Sequence, residues 1–324
     1  MKKSIVFVLV VLCCSLLFSQ GSNEISLFED RSHFAFITDK SNSDIVLDGA
    51  NNAVKEFYPY LQVDVLRITN NSEAEALVLS SINSNYDAIL SYGESSAIVK
   101  NLSYEYPEKR FASLSDATST SLPRNYSEFY FDFNPTSFLC GVGAYSLTDT
   151  RKVGVIAFSD DERVNTFIEG FKEAGPNGNV EVYFIEENTD DDTLRLILDI
   201  LYSSGSDIVF TLIGNRTDTV INKARELGEY VIVGDNYYPA DSTVILSVNK
   251  DIRRAVSLVI GKMKEGYNGG ESIALGLKDS VLDLSWFLNG ESLKNLDDNM
   301  KTKIMDAKSL LRRYRFELIN GPQI

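Results

Sequence analysis

The chain has 324 residues, 44% hydrophobic and 24% charged, a globular composition at a length beyond what a single core usually holds, so two lobes of ordinary domain size are expected. Forty-six acids against 31 bases give a formal net charge of −15, which argues against nucleic acid as a partner, because that needs a basic face. A single histidine, His33, rules out paired-histidine metal ligation; a hydrolase triad would hang on that one residue with no G-x-S-x-G beside it.

Neither G-x-G-x-x-G nor G-x-x-x-x-G-K-[ST] occurs, so dinucleotide and P-loop phosphate binding lack their usual motif. No cofactor, no metal and no catalytic residue is assigned.

In chain order, Lys2 and Lys3 precede an apolar run from Ile5 to Phe18, the plan of a secretory signal peptide over 1–21. The run is shorter than the ~20 residues of a transmembrane helix. Two exits are open: cleavage after Ser19-Gln20-Gly21, or lipid attachment at Cys13 or Cys14, where Cys14 follows Val11-Leu12-Cys13 in an imperfect lipobox. Cleavage leaves Cys140 alone, so no intramolecular disulfide can form; within SFLCGVGAY it reads as a small packed hydrophobe.

Next, short apolar runs alternate with helix-period segments. Strands are expected at 33–38, 63–69, 87–92 and 110–115, and helices at 44–58, stopped by Pro59, at 73–83 and at 95–106. Repeated units of this kind imply a parallel sheet covered by helices.

A strand at 128–133 and a small-residue helix at 137–147 lead into a second series. Its strands are 152–158, 180–186, 207–213 and 230–236, and its helices 161–174, 190–203 and 217–227, with Gly228 placed to end the last. The acidic run Asp190-Asp191-Asp192 reads as a helix N-terminus meeting the dipole, and Pro176-Asn177-Gly178 as a turn. A strand at 244–250, a helix at 251–265, a glycine-rich turn at 266–270, two short strands in SIALGL and VLDLSW, and a helix at 295–313 complete the chain.

The fold class is therefore α/β, with two doubly wound parallel-sheet lobes joined by a multi-crossover hinge. The N-terminal lobe is expected to take 30–134 plus about 246–276, and the C-terminal lobe 135–245 plus about 277–324. YVIVGDN and SIALGLKD each carry an apolar run into a charged residue. Strand carboxyl ends in open α/β sheets face ligand crevices, which makes Asp235 and Lys278 candidate site residues. The bland alternatives are a turn cap for Asp235 and a solvated lysine for Lys278.

Five segments carry a resemblance: ITDKSNSDIVLDGA (37–50), YPEKRFASLSD (106–116), FIEGFKEA (167–174), YVIVGDN and GLKD. In this order, over nearly the whole chain, the set resembles the basic membrane protein family of type I periplasmic binding proteins, which includes purine-nucleoside-binding lipoproteins. The resemblance implies a nucleoside held between lobes, its base stacked on aromatics and its ribose on carboxylate, amide and lysine groups. Carried over, it assigns ligand roles to Asp39, Asp116, Asp235 and Lys278, and Asn42, Ser43 and Gly214 join them as candidate ligand-binding residues at positions where the chain departs from the family pattern. Vicinal hydroxyls need ionised acceptors and a strong donor, which these residues supply.

It also implies an ABC permease as partner, a monomer, and export to the cell envelope, either periplasmic or held to the membrane by a lipid on Cys14. Three departures from the family pattern stand out. Asn42-Ser43 replaces its Phe-Asn, Gly214-Asn215-Arg216 replaces a Gly-Gly stretch, and Asp279-Ser280-Val281 follows the lysine. Asp39 also reads as an Asx-turn, Asn42 and Ser43 as helix caps, and Tyr237, Tyr238 and Trp286 as substitute stacking platforms or packing. The competing function is a surface interaction or adhesin-type protein that keeps the fold and has lost the small-molecule site.

Overall fold

The computed structural model describes residues 31–116, 118–119, 121–158, 161–235, 238, 241–267, 269–286 and 298–320. The signal segment, Cys13, Cys14 and Tyr237 lie outside them, as does the side chain of Trp286. The chain divides into two units, 1–130 with 252–274 and 131–251 with 275–324.

The first unit opens with β1 (Ser32–Asp39), α1 (Ser43–Glu56), β2 (Leu61–Ile68), α2 (Asn71–Ile82), β3 (Ala88–Tyr92), α3 (Ser95–Glu105) and β4 (Arg110–Ser115), and reaches β5 (Tyr126–Phe131). With β11 (Ser272–Leu275) these strands form one sheet in the order β2-β1-β3-β4-β5-β11. The pairs β1–β2, β1–β3, β3–β4 and β4–β5 are parallel. β11 runs with β5, since Glu128 N–H reaches Glu271 O at 3.1 Å and Asp132 N–H reaches Leu275 O at 3.0 Å. Helices cover both faces, so central strands are buried throughout rather than alternating: all of β3 is buried, Ser91 included. Against this sheet packs α8 (Ile252–Lys264), so close to α1 that a Cβ on Gly49 would lie 2.6 Å from Arg253 O.

The link from β4 to β5 departs from the βα plan. Parallel neighbours usually need a dozen or more residues and a helix between them, whereas the described residues of 116–125 contain no helix. Instead the buried Glu128 carboxylate accepts from Ser119 N–H at 2.6 Å and Ser119 Oγ at 2.7 Å, and Lys100 Nζ donates to the same hydroxyl at 2.6 Å. An ionic anchor does here what an apolar helix face does elsewhere.

The second unit contains α4 (Asn134–Leu147), β6 (Lys152–Phe158), α5 (Glu162–Ala174), β7 (Asn179–Ile185), α6 (Asp191–Ser203), β8 (Ile208–Leu212), α7 (Thr217–Leu227), β9 (Tyr230–Val233), β10 (Val244–Lys250), β12 (Leu282–Trp286) and α9 (Asp298–Asn320). Its sheet has the order β7-β6-β8-β9-β10-β12, parallel except for β12, which runs antiparallel to β10. Cys140 is fully buried in α4, and burial pushes its thiol far above the ordinary value, in keeping with packing. Glycines set the closest contact: a Cβ on Gly170 of α5 would lie 2.0 Å from Phe138 O of α4, and one on Gly141 would lie 2.0 Å from Phe167 O. Asp190 caps α6 by accepting from Thr193 N–H at 2.8 Å, and Gly228 ends α7 at φ 76°.

Three boundaries are corrected. Residues 246–250 belong to the second sheet, because β10 pairs with β9 on one side and β12 on the other; the chain returns to the first unit only at Ile252. The first crossing falls after Tyr130, so 131–134 sit with the second unit, and the last after Ala274, so 275–276 do too. The terminal helix runs to Asn320 rather than 313, its apolar face continuing through Tyr314, which packs with Leu139, Val142, Leu277 and Leu311. His33 sits at the amino end of β1, between β2 and β3, with Nε2 2.8 Å from Asp64 Oδ2, and Tyr86 donates to the same oxygen at 2.9 Å.

Candidate functional site

In each sheet the strand order reverses beside its first strand, between β1 and β3 and between β6 and β8. Chain leaving these carboxyl ends diverges to opposite faces and opens a crevice, the general ligand position in doubly wound sheets.

At the first reversal, Asp39 ends β1. Its carboxylate accepts from Ser41 Oγ at 2.5 Å, from Asn42 N–H at 3.0 Å and from Asn42 Nδ2, which lies 3.0 Å from both oxygens. Burial alone would raise its pKa, but these bonds outweigh it and hold the carboxyl below its ordinary value. Asp39 therefore makes the Asx-turn and stays ionised. Asn42 precedes α1 without capping it by its side chain; the amide is spent on Asp39. Ser43 is buried and donates to Lys40 O at 3.0 Å. Asp116 follows β4, exposed.

Tyr92, which ends β3, was missed in the sequence. It is buried, and burial, then the charges of Asp116 and Asp39, push its hydroxyl well above the ordinary value. Gly93 follows at φ 85°, where a Cβ would lie 2.2 Å from Asp39 Oδ2; a side chain there would displace the carboxylate.

At the carboxyl edge of the second sheet, Asp235 follows β9 and Gly214 follows β8. One Asp235 oxygen accepts from Gly214 N–H at 2.6 Å, while Oδ1 is buried with no hydrogen-bond partner among the described residues. Burial raises its pKa, opposed by the Gly214 bond and the charge of Arg163. Gly214 opens a short 3-10 turn, 214–216, at φ 57°, a conformation that favours glycine.

Arg163 makes a bidentate pair with Asp161, Nε to Oδ1 at 2.8 Å and Nη2 to Oδ2 at 2.5 Å, and lies 5.3 Å from the Phe133 ring centroid. Lys250, at the end of β10, lies 4.8 Å from the Phe131 centroid. These groups escaped the sequence reading because none follows an apolar run as an isolated charge.

Lys278 is exposed in the turn 277–280. That turn belongs to the same carboxyl edge, because Leu282 at the start of β12 pairs with Lys250 and Val281 O accepts from Asp251 N–H at 2.8 Å. Arg216 is drawn to Asp191, Nη2 to Oδ1 at 2.8 Å. Tyr238 donates to Asp218 and packs on the core beneath α6 and α7, a packing role rather than a stacking platform. The structure thus brings Asp39 together with Asn42, and Gly214 with Asp235; no described contact joins Lys278 to Asp235.

The family model Bmp, ABC transporter substrate-binding protein PnrA-like, matches residues 33–314. The chain belongs to this family. It is similar to basic membrane protein A1 of Borrelia garinii, 26% identical over 291 residues and covering 84% of each chain. Among solved structures its fold is similar to that of a transcriptional activator of the comK gene from Bacillus halodurans (TM-score 0.65, 19% identical, 90% of this chain and 99% of that one). It is also similar to a solute-binding protein of an ABC transporter system from Aeropyrum pernix K1 (TM-score 0.59, 17% identical, 90% and 94%).

Membership makes the protein an ABC transporter solute-binding protein rather than an enzyme, acting outside the cytoplasm, with a small-molecule ligand and a permease as partners. No helix among the described residues is long and apolar enough to cross a membrane.

Proposed function

We propose that this Bmp-family protein binds a nucleoside-like solute, with a purine nucleoside the first choice, and delivers it to its permease as a monomer that performs no chemistry. Its candidate ligand residues are Asp39, Asn42, Ser43 and Asp116 in the first unit, and Gly214, Asp235 and Lys278 in the second. The leader and an anchor on Cys14 belong to the same reading.

The observation that carries it is Asp235. A buried carboxylate oxygen without a hydrogen-bond partner among the described residues is costly in a folded chain, and a hydroxyl or N–H of a solute would satisfy it. The other Asp235 oxygen is fixed by Gly214 N–H, so the free one has a set direction and selects for a donor. A thermal-shift screen followed by calorimetry on nucleosides, free bases, sugars and amino acids tests this; nucleosides should shift the melting point and free amino acids should not.

The surface-interaction reading draws on one feature. Asn42, standing where the family has an aromatic, takes up both oxygens of Asp39, leaving less of that carboxylate for a solute. It predicts a well-folded chain that no member of the panel shifts.

A further inference from the structure

Tyr92 holds a position that the chain's fold singles out. It ends β3, beside the point where the first sheet reverses its strand order, and its side chain is 7% exposed. Its hydroxyl makes no hydrogen bond among the described residues and is not one of their fully buried polar atoms, so the ring is buried while the oxygen stays accessible.

Its electrostatic neighbours are Asp116 and Asp39, and Asp39 lies directly over Gly93, the next residue. Neither carboxylate accepts the phenolic proton; Asp39 is engaged by Ser41 and Asn42. Burial and the two nearby charges keep the phenol protonated through the neutral range, so it remains a donor. One neutral donor beside two carboxylates complements an uncharged group with an acceptor atom next to donors. Such groups are a ring carbonyl or nitrogen beside an N–H, or the oxygen of a polyol. A phosphate would meet like charge instead.

We propose that Tyr92 is a specificity-determining residue of the solute site, its O–H donating to an acceptor atom of an uncharged ligand whose neighbouring donors face Asp39 and Asp116. This rests on the small-molecule reading above and narrows it to neutral solutes recognised through an acceptor at the β3 end. The role is independent of the aromatic lost at position 42, because Tyr92 acts through its oxygen and not through its ring face.

The test is Tyr92→Phe in the purified mature chain, measured by calorimetry with inosine, guanosine, adenosine and their 5′-monophosphates. The substitution removes one oxygen that holds nothing in the fold, so the unliganded melting point should stay unchanged. The Kd of a nucleoside that binds wild type should rise about 3- to 10-fold, the loss of one hydrogen bond. Each monophosphate should bind wild type at least tenfold more weakly than its nucleoside.

Equal Kd values for wild type and Tyr92→Phe with every bound nucleoside would overturn the role of Tyr92 and leave the solute reading standing. A drop of several degrees in the unliganded melting point would overturn it too, by showing that the hydroxyl serves the fold. A wild-type chain that binds none of the six compounds would remove the nucleoside reading and this one with it.

Discussion

Replacing Asp235 separates its two jobs. One oxygen holds Gly214 N–H at 2.6 Å and the other is buried without a partner among the described residues. Asp235→Ala orphans the Gly214 N–H in a half-buried turn at φ 57°, and an unsatisfied donor there costs about 1 kcal/mol, the low end of the range for a buried group. For a lobe of this size that is roughly 2–4 °C of melting temperature. Alanine is therefore a poor probe of binding, because it weakens the turn as well.

Asp235→Asn keeps an oxygen for Gly214 and removes the charge. Burial has raised the pKa of Asp235, and the sign follows: a carboxyl raised on folding favours the protonated folded state, so ionisation above its folded pKa works against stability. Asp235→Asn should then leave the unliganded protein as stable as wild type at pH 7 or more so, with the gap closing as pH falls towards the ordinary carboxylate range. Loss of a charged acceptor costs about 1.5–3 kcal/mol of binding, roughly 10- to 150-fold in Kd. Paired melting curves at pH 4 and pH 7 with calorimetry at pH 7 read all three quantities. An asparagine variant that binds as tightly as wild type, or that melts lower at pH 7 while alanine does not, would refute the assignment of the two oxygens.

Other consequences concern the scaffold. Gly170→Ala places a Cβ 2.0 Å from Phe138 O, a backbone atom that cannot rotate away. The gain of about 1 kcal/mol in helix propensity should be outweighed by overpacking, for a net loss of about 1–2 kcal/mol in denaturant melts; unchanged stability would mean the two helices sit further apart. Asp64 has its carboxyl held below 3.8, because bonds from Tyr86, His33 and Gln62 outweigh the upward effect of burial. Its contribution is thus present above the ordinary value and lost as pH falls through the lowered one. Asp64→Asn should melt below wild type at pH 6 and converge with it in acid; a constant offset would contradict that ordering.

The fold was legible because its strands are buried on both faces and its helices are periodic. Runs such as KVGVIAF and DIVFTLI announce central parallel strands without any tertiary knowledge. The assignment of 246–250 to the first lobe failed for a physical reason: a strand bordered by a turn and a helix looks alike in either sheet, and only pairing with β9 and β12 decides it. The link at 116–125, whose described residues hold no helix, was equally hidden, since what anchors it is one buried acid, Glu128, reaching Ser119.

At the site, charged residues after apolar runs pointed to Asp235 and Lys278 and the resemblance to Asp39; Asp39 ends β1 and Asp235 follows β9, while Lys278 sits exposed in the turn before β12. Tyr92 went unseen because it reads as the last apolar residue of its strand, and Arg163 because its partner Asp161 looks like an ordinary helix cap, which it also is.

The most direct measurement is calorimetric titration of the purified mature chain with purine nucleosides. The account predicts saturable binding by at least one of them, with a stabilisation of about 2.7 kcal/mol at 100 times the Kd, reduced at least tenfold in affinity by Asp235→Asn. A folded, monodisperse chain that takes up no nucleoside, base or sugar would contradict it and leave the surface-interaction reading in its place.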